Sequence, residues 1–211
     1  KSRIASIFLL TCLSSIVYFN SLQGVFQFDD RNLLTKEWVG DLDNFNKSVK
    51  FRSFQNRPVL LWTFAANNQI DNQHTFGFHL ANLTLHILVS ILIFFILLRV
   101  KNFGINNYIY SKYENYRIVG TLVFPLATAL IFAMHPINTD SVTYISSRST
   151  LLATFFYLLT IYLFTEMLFP FRTLKQRIIL GLFTLIGIYF AIASKLIAVT
   201  LPVILILWFL I

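Results

Sequence analysis

At 211 residues, with 56% apolar, 17% aromatic and only 12% charged side chains, this chain carries more apolar surface than one soluble core can cover, which places it in lipid. Its formal charge of +8 is spread over short segments and forms no basic stripe on a soluble module, so a nucleic-acid-binding reading is excluded. The single cysteine, Cys12, lies in the first apolar run and excludes an intramolecular disulfide and a thiolate metal site.

Apolar runs predict spans over Ile4–Tyr18, Phe78–Leu98, Gly120–Met134, Leu151–Phe169, Ile178–Ala193 and Leu196–Ile211. A crossing helix needs about 20 such residues, and lipid leaves no backbone group unpaired. The expected fold class is all-α: a polytopic membrane protein of about six transmembrane helices, one transmembrane domain over residues 1–211. The first run, flanked by Lys1 and Arg3, has no small-x-small cleavage site and reads as a retained helix. The chain starts without Met and stops at Ile211 inside an apolar run, so a fragment of a longer protein is expected.

Residues 20–77 form the first outer loop, the longest polar insertion. Near its start Phe28-Asp29-Asp30 sets two adjacent carboxylates at a membrane boundary, in a chain with nine acidic residues. The pair is a candidate site at a water-facing mouth; the plainer readings are a cap on the next helix or pairing with Arg31. Asn56-Arg57-Pro58 then introduces the apolar stretch Val59–Ala66, with Pro58 suited to a first helical turn. At about 1.5 Å per residue the stretch is too short to span. Trp62 suits an interfacial helix, and a buried or re-entrant turn is the alternative.

The second span opens with His79, Asn82 and His86, whose offsets of three and seven put them on one helical face. The two-turn separation of the histidines is not the i, i+3 or i, i+4 spacing of zinc pairs, so no metal site is assigned, and packing or hydrogen bonding is favoured over a functional role. After the third span come His135-Pro136-Ile137-Asn138-Thr139-Asp140 and Tyr144-Ile145-Ser146-Ser147-Arg148-Ser149, on the same side as the acidic pair. The fifth span runs into Ala193-Ser194-Lys195-Leu196, and Pro202 is expected to kink the sixth. Asn46-Lys47-Ser48 and Asn82-Leu83-Thr84 match the glycosylation tripeptide, the second inside a span, and carry no weight.

With the N-terminus inside, the cytoplasmic segments hold nine basic and two acidic residues, while the outer ones hold seven of each, with Lys195 at an outer boundary. Basic residues gather on the cytoplasmic side, so the N-terminus is expected in the cytoplasm and the first loop in the periplasm or an organelle lumen. A transporter or channel reading ranks low, because the spans are almost uncharged and show no matched pair of broken helices.

These blocks together, with Phe78-His79-Leu80-Ala81-Asn82-Leu83-Thr84-Leu85-His86 and Ser194-Lys195-Leu196-Ile197-Ala198-Val199-Thr200-Leu201-Pro202, follow one order over nearly the whole chain. In that order the chain resembles the membrane half of the tetratricopeptide-repeat-containing O-mannosyltransferase-like proteins, in the GT-C class of polyprenyl-phosphate-sugar-dependent glycosyltransferases. It departs from the family pattern twice. Ser147-Arg148-Ser149-Thr150 stands where the family has Gly-Arg-Ser and an acid, and Ser194-Lys195-Leu196 where it has Ser-Lys-Glu.

The resemblance implies transfer of a sugar from a polyprenyl phosphate to a protein or glycan hydroxyl on the outer face. Such transfer needs a base for the acceptor proton and cations for the departing phosphate. Asp29 is the implied base, and Asp30 would orient the acceptor or a divalent cation; no cofactor is otherwise called for. Arg57 and Arg148 would contact phosphate oxygens, unless they are interfacial anchors on lipid headgroups. Lys195 would add a point charge. His135 would hydrogen-bond a substrate unless His-Pro is only a stop signal, and His79 and Asp140 complete the substrate-binding set. The two lost acids open the alternative of a non-catalytic subunit that scaffolds a larger membrane assembly with other membrane subunits.

Overall fold

A computed structural model describes residues 2–34, 57–71, 74–100 and 122–210, the side chains of 32–34 and 71 excepted. The Asn46 tripeptide and the connection over residues 101–117 lie outside them. In chain order the helices are α1 (Ser2–Tyr18), α2 (Asp29–Leu34), α3 (Pro58–Asp71), α4 (Thr75–Val100), α5 (Phe124–Met134), α6 (Thr139–Thr143), α7 (Arg148–Leu168), α8 (Leu174–Ser194) and α9 (Leu201–Leu210). Short 3₁₀ turns follow α1, precede and follow α6, and join α8 to α9. The described residues contain no strand.

Four helical stretches are long and apolar enough to cross a membrane: Ser2–Gln23, Thr75–Val100, Ile145–Leu168 and Leu174–Ser194. Phe124–Met134 and Leu196–Leu210, expected as spans, are shorter apolar helical stretches. The protein is therefore an all-α, polytopic integral membrane protein. Its outward faces are apolar, as lipid demands: Ile4, Phe8 and Ile16 on α1, Leu182, Phe183 and Ile186 on α8, and Ile206 and Phe209 on α9 are exposed.

Hydroxyl side chains fit these helices by bonding back one turn. Ser14 donates to the Leu10 carbonyl at 2.7 Å, Ser90 to His86 at 2.9 Å, Thr165 to Ile161 at 2.7 Å and Ser194 to Phe190 at 2.7 Å. These hydroxyls are thereby satisfied within their own helices. The most extensive helix pair is α7 with α8, where Gly187 brings its backbone against Thr160; lipid-embedded helices associate by such close packing at small residues. Their connection ends in a capping box. Thr173 Oγ1 accepts from Gln176 N–H at 3.3 Å, and Gln176 Oε1 accepts from Thr173 N–H at 3.1 Å.

Prolines start helices here. Pro58 opens α3, Pro125 sits in the first turn of α5, and Pro202 in the first turn of α9. Pro202, expected to kink the sixth span, sits instead in the first turn of α9, after the 3₁₀ turn Leu196–Thr200, a place where its missing N–H has no α-helical partner to lose. The helix expected at Val59–Ala66 is α3, which lies against α4, α7 and α8. Val59, Leu60, Leu61, Phe64 and Ala65 are buried with Phe78, Ile145, Leu152 and Ala193, while Trp62 is half exposed.

Candidate functional site

One segment, Tyr144 to Thr150 at the start of α7, receives contacts from almost every element at its end of the bundle. The Tyr144 hydroxyl accepts from Asp29 N–H at 3.3 Å, and its ring packs edge-on against Phe28 at 6.3 Å. The Ser146 N–H and hydroxyl both donate to Asp30 Oδ1, at 2.8 and 2.5 Å. Ser149 Oγ accepts from Arg57 Nη1 at 3.4 Å, and Thr150 Oγ1 accepts from Lys195 Nζ at 2.8 Å. Segments more than a hundred residues apart thus meet on seven consecutive residues.

The two carboxylates of the acidic pair differ in kind. Asp30 is buried, 1% exposed. Its Oδ2 accepts from Gln27 N–H at 3.0 Å while Oδ1 holds Ser146, so both oxygens serve to pin the loop before α2 to the turn before α7. Asp29 is exposed, and among the described residues its carboxylate accepts no hydrogen bond. Being in the first turn of α2, it faces solvent from a position fixed through its own backbone and its neighbour. Phe28 and Arg57, each just before a helix, have left-handed φ of 42° and 48°. Such strain in non-glycine residues costs of order 1–3 kcal/mol and persists where surrounding contacts over-determine it.

Among the described residues Arg148 is the largest fully buried side chain, 1% exposed. Its Nε donates to Asn82 Oδ1 at 2.8 Å, Nη1 to Asn67 Oδ1 at 2.8 Å and to the Thr63 carbonyl at 3.3 Å, and Nη2 to the Phe78 carbonyl at 2.9 Å. The guanidinium also lies over Phe64 and Phe78, 4.7 and 5.4 Å from their ring centres. A cation held away from water must be fully hydrogen-bonded, and here α3, α4 and α7 are clamped around it. Asn82 extends the clamp, since its amide donates to the carbonyls of Tyr144 at 3.1 Å and Val142 at 3.4 Å.

The histidines divide similarly. His86 Nε2 is 2.9 Å from the Ala133 carbonyl. A carbonyl can only accept, so the proton sits on Nε2, and the ring fills the space between Tyr18 and Phe132. His79 is buried, 2% exposed, with no well-formed hydrogen bond on either nitrogen, and its ring lies on the backbone of Gly24. His135 is exposed, and its Nδ1 accepts from Ile137 N–H at 3.1 Å, capping the turn after α5. Asp140, also exposed, accepts from Ser147 at 3.4 Å.

Asp29, Asp30, Arg57, Arg148 and Lys195 therefore come together at the start of α7, with Asp140 and His135 at the edge and His79 behind Gly24. In the sequence reading Tyr144 and Ser146 stand only as members of a polar block with no role of their own, and Asn67 is not singled out. A general signal did exist, because a polar residue at membrane depth needs a partner. Which residue it pairs with has no local signature. Among the described residues no group of His, Cys, Asp and Glu has the grouping to hold a metal ion.

Beside the clamp runs a groove of about 550 Å³, lined by Thr63, Asn67, Ile70, Phe76, Leu80, Leu85 and Leu152, with Arg148 in its wall. Apolar side chains dominate the lining, and its polar groups are Thr63, Asn67, Thr84 and Arg148. Such a groove suits an apolar chain that carries a polar head.

No family model matches this chain, and no solved structure matches it. Over 165 residues it is 26% identical to the Caenorhabditis elegans protein named protein O-mannosyl-transferase F38B6.6, covering 72% of this chain and 22% of that protein. Over 170 residues it is 29% identical to protein O-mannosyl-transferase Tmtc3 of Drosophila melanogaster, covering 72% and 18%. Over 163 residues it is 29% identical to protein O-mannosyl-transferase TMTC4 of Homo sapiens, covering 69% and 21%. The chain spans about a fifth of the length of these curated relatives. It is related to proteins named protein O-mannosyl-transferases, as the ordered blocks indicated.

Proposed function

We propose that this chain is the membrane-embedded catalytic part of a GT-C-like glycosyltransferase, which moves a sugar from a polyprenyl phosphate to a protein or glycan hydroxyl on the outer membrane face. The names of its relatives make mannose the first sugar to test. The observation that carries the reading is the unequal acidic pair: buried Asp30 fixed by Ser146, and exposed Asp29 left open beside it.

In the proposed step Asp29 takes the acceptor proton as the hydroxyl oxygen attacks C1 of the sugar. The bond from C1 to the phosphate oxygen breaks, and the polyprenyl phosphate leaves with the electron pair. Arg57 and Lys195, tied to Ser149 and Thr150 at the first turn of α7, meet the departing phosphate, which the positive end of that helix also favours. Arg148, its donors committed to α3 and α4, acts as the frame of the site and not as a phosphate ligand. The apolar groove beside it takes the first part of the prenyl chain. Asp30 acts through Asp29 and is a positioning residue. The N-terminus lies in the cytoplasm in this arrangement, which puts the start of α7 outside.

A test is transfer of labelled mannose from a polyprenyl-phosphate donor to a hydroxyl peptide by the chain in proteoliposomes. Transfer is the expected result. No binding of any polyprenyl-phosphate sugar by a folded chain overturns the reading.

One observation favours a second reading, a non-catalytic GT-C-derived subunit. Lys195 meets the neutral Thr150 hydroxyl where the resembled family has an acid, so one charge of the family pattern is missing at the site. Co-purification at fixed stoichiometry with other membrane subunits, without donor binding, decides for it.

A further inference from the structure

The far end of the bundle carries a second charge cluster that the transfer reading does not use. Glu166, on α7, is 4% exposed and is bridged by two guanidiniums, Arg99 at the end of α4 and Arg172 in the connection after α7. One carboxylate neutralises one of them, so the triad keeps a net positive charge. Lys175 and Arg177, both exposed in the first turn of α8, add two more. Among the described residues Glu166 is the only carboxylate at this end.

The cations are set among apolar side chains that water would not select. Phe171, in the same short connection, is 90% exposed, and Leu174, at the start of α8, is 75% exposed. The Arg99 guanidinium lies 5.1 Å from the Phe169 ring centre, and Arg177 reaches back to the Phe169 carbonyl at 3.5 Å. Side chains that carry charge and apolar surface together fit the boundary between lipid headgroups and acyl chains. Fixed cations at that boundary attract anionic headgroups.

We propose that the connection between α7 and α8, with the end of α4, is a binding site for an anionic phospholipid. Its phosphate and second negative group are held by Arg172, Lys175 and Arg177, and Phe171 and Leu174 sit among its acyl chains. The bridge from Glu166 holds Arg99 and Arg172 in place, so the site is built from three separate elements and is more than a line of loop charges.

Trp208 supplies a reporter, since its indole N–H donates to Thr165 Oγ1 at 3.0 Å, one residue from Glu166. The experiment uses the whole chain with Trp38 and Trp62 replaced by Phe, reconstituted with brominated phosphatidylserine or brominated phosphatidylcholine. Quenching of Trp208 is expected to favour the serine lipid at equal mole fraction, and the preference should weaken with salt. K175Q/R177Q removes only cations outside the Glu166 bridge, and should lower the preference on the order of fivefold for each cation removed. Its melting midpoint serves as the fold control. Equal quenching by both lipids, or a preference that survives K175Q/R177Q in a folded chain, overturns the proposal.

Discussion

Truncating Arg148 tests the frame of the site. In Arg148→Ala the acceptors at Asn82, Asn67 and Phe78, now at 2.8, 2.8 and 2.9 Å from the guanidinium, lose their donor together. At about 1 kcal/mol for each of these three bonds, and about 1 kcal/mol for the rings of Phe64 and Phe78, the loss is about 4 kcal/mol. Part of it is regained because a cation no longer has to be held away from water, which leaves about 3 kcal/mol.

Arg148→Lys separates geometry from charge. An ammonium on a flexible stem cannot reach Asn82, Asn67 and the Phe78 carbonyl at once, so this variant should still lose about 2 kcal/mol. The assay is reversible unfolding of the detergent-solubilised chain, titrated from mild detergent into dodecyl sulfate and followed by helical circular dichroism. Arg148→Ala within about 0.5 kcal/mol of the parent, the range of an ordinary surface change, would show that the clamp does not hold α3, α4 and α7 together. Arg148→Lys indistinguishable from the parent would show that charge alone matters.

Three further substitutions probe neighbouring contacts in the same assay. Ser146→Ala removes the hydroxyl bond to Asp30 and leaves the backbone bond; it should cost about 1–2 kcal/mol and nothing further in an Asp30→Ala background, where the acceptor is gone. Gly24→Ala puts a Cβ 2.7 Å from His79 Nε2 and 3.0 Å from the Ser21 carbonyl, and should cost about 1–3 kcal/mol. Adding His79→Ala should relieve part of that, whereas simple additivity of the two changes would refute the clash. Thr150→Glu offers Lys195 a carboxylate and puts an acid in the first turn of α7, so a gain of about 0.5–1 kcal/mol is expected; a loss would mean that this turn has no room for the acid of the family pattern.

Hydropathy made most of the fold legible, because a lipid-embedded helix must be continuously apolar. The start of α3 at Pro58 and the gathering of the two polar segments at one end of the helices were also legible from the sequence. Pro202 was read as an interruption within a span, because an apolar run does not show that a 3₁₀ turn precedes the helix whose first turn holds Pro202. α5 and α9, also read as spans, are shorter apolar helical stretches over the described residues. In the site, Asp29 and Asp30 were visible as a pair, but not that one is buried and the other open. That difference depends on Ser146, 116 residues from Asp30, and no local pattern encodes it. Arg148, placed by sequence at a membrane boundary, looked like a surface cation, and only the meeting of Asn67, Asn82 and Phe78 shows it to be internal.

The most direct test of the account is a paired measurement of donor binding and sugar transfer in the parent and in Asp29→Asn, with polyprenyl-phosphate mannose as donor and a hydroxyl peptide as acceptor. An open carboxylate acting as base predicts that transfer falls by about 10²-fold or more while donor affinity is unchanged. Transfer at the parent rate by Asp29→Asn would contradict the central claim.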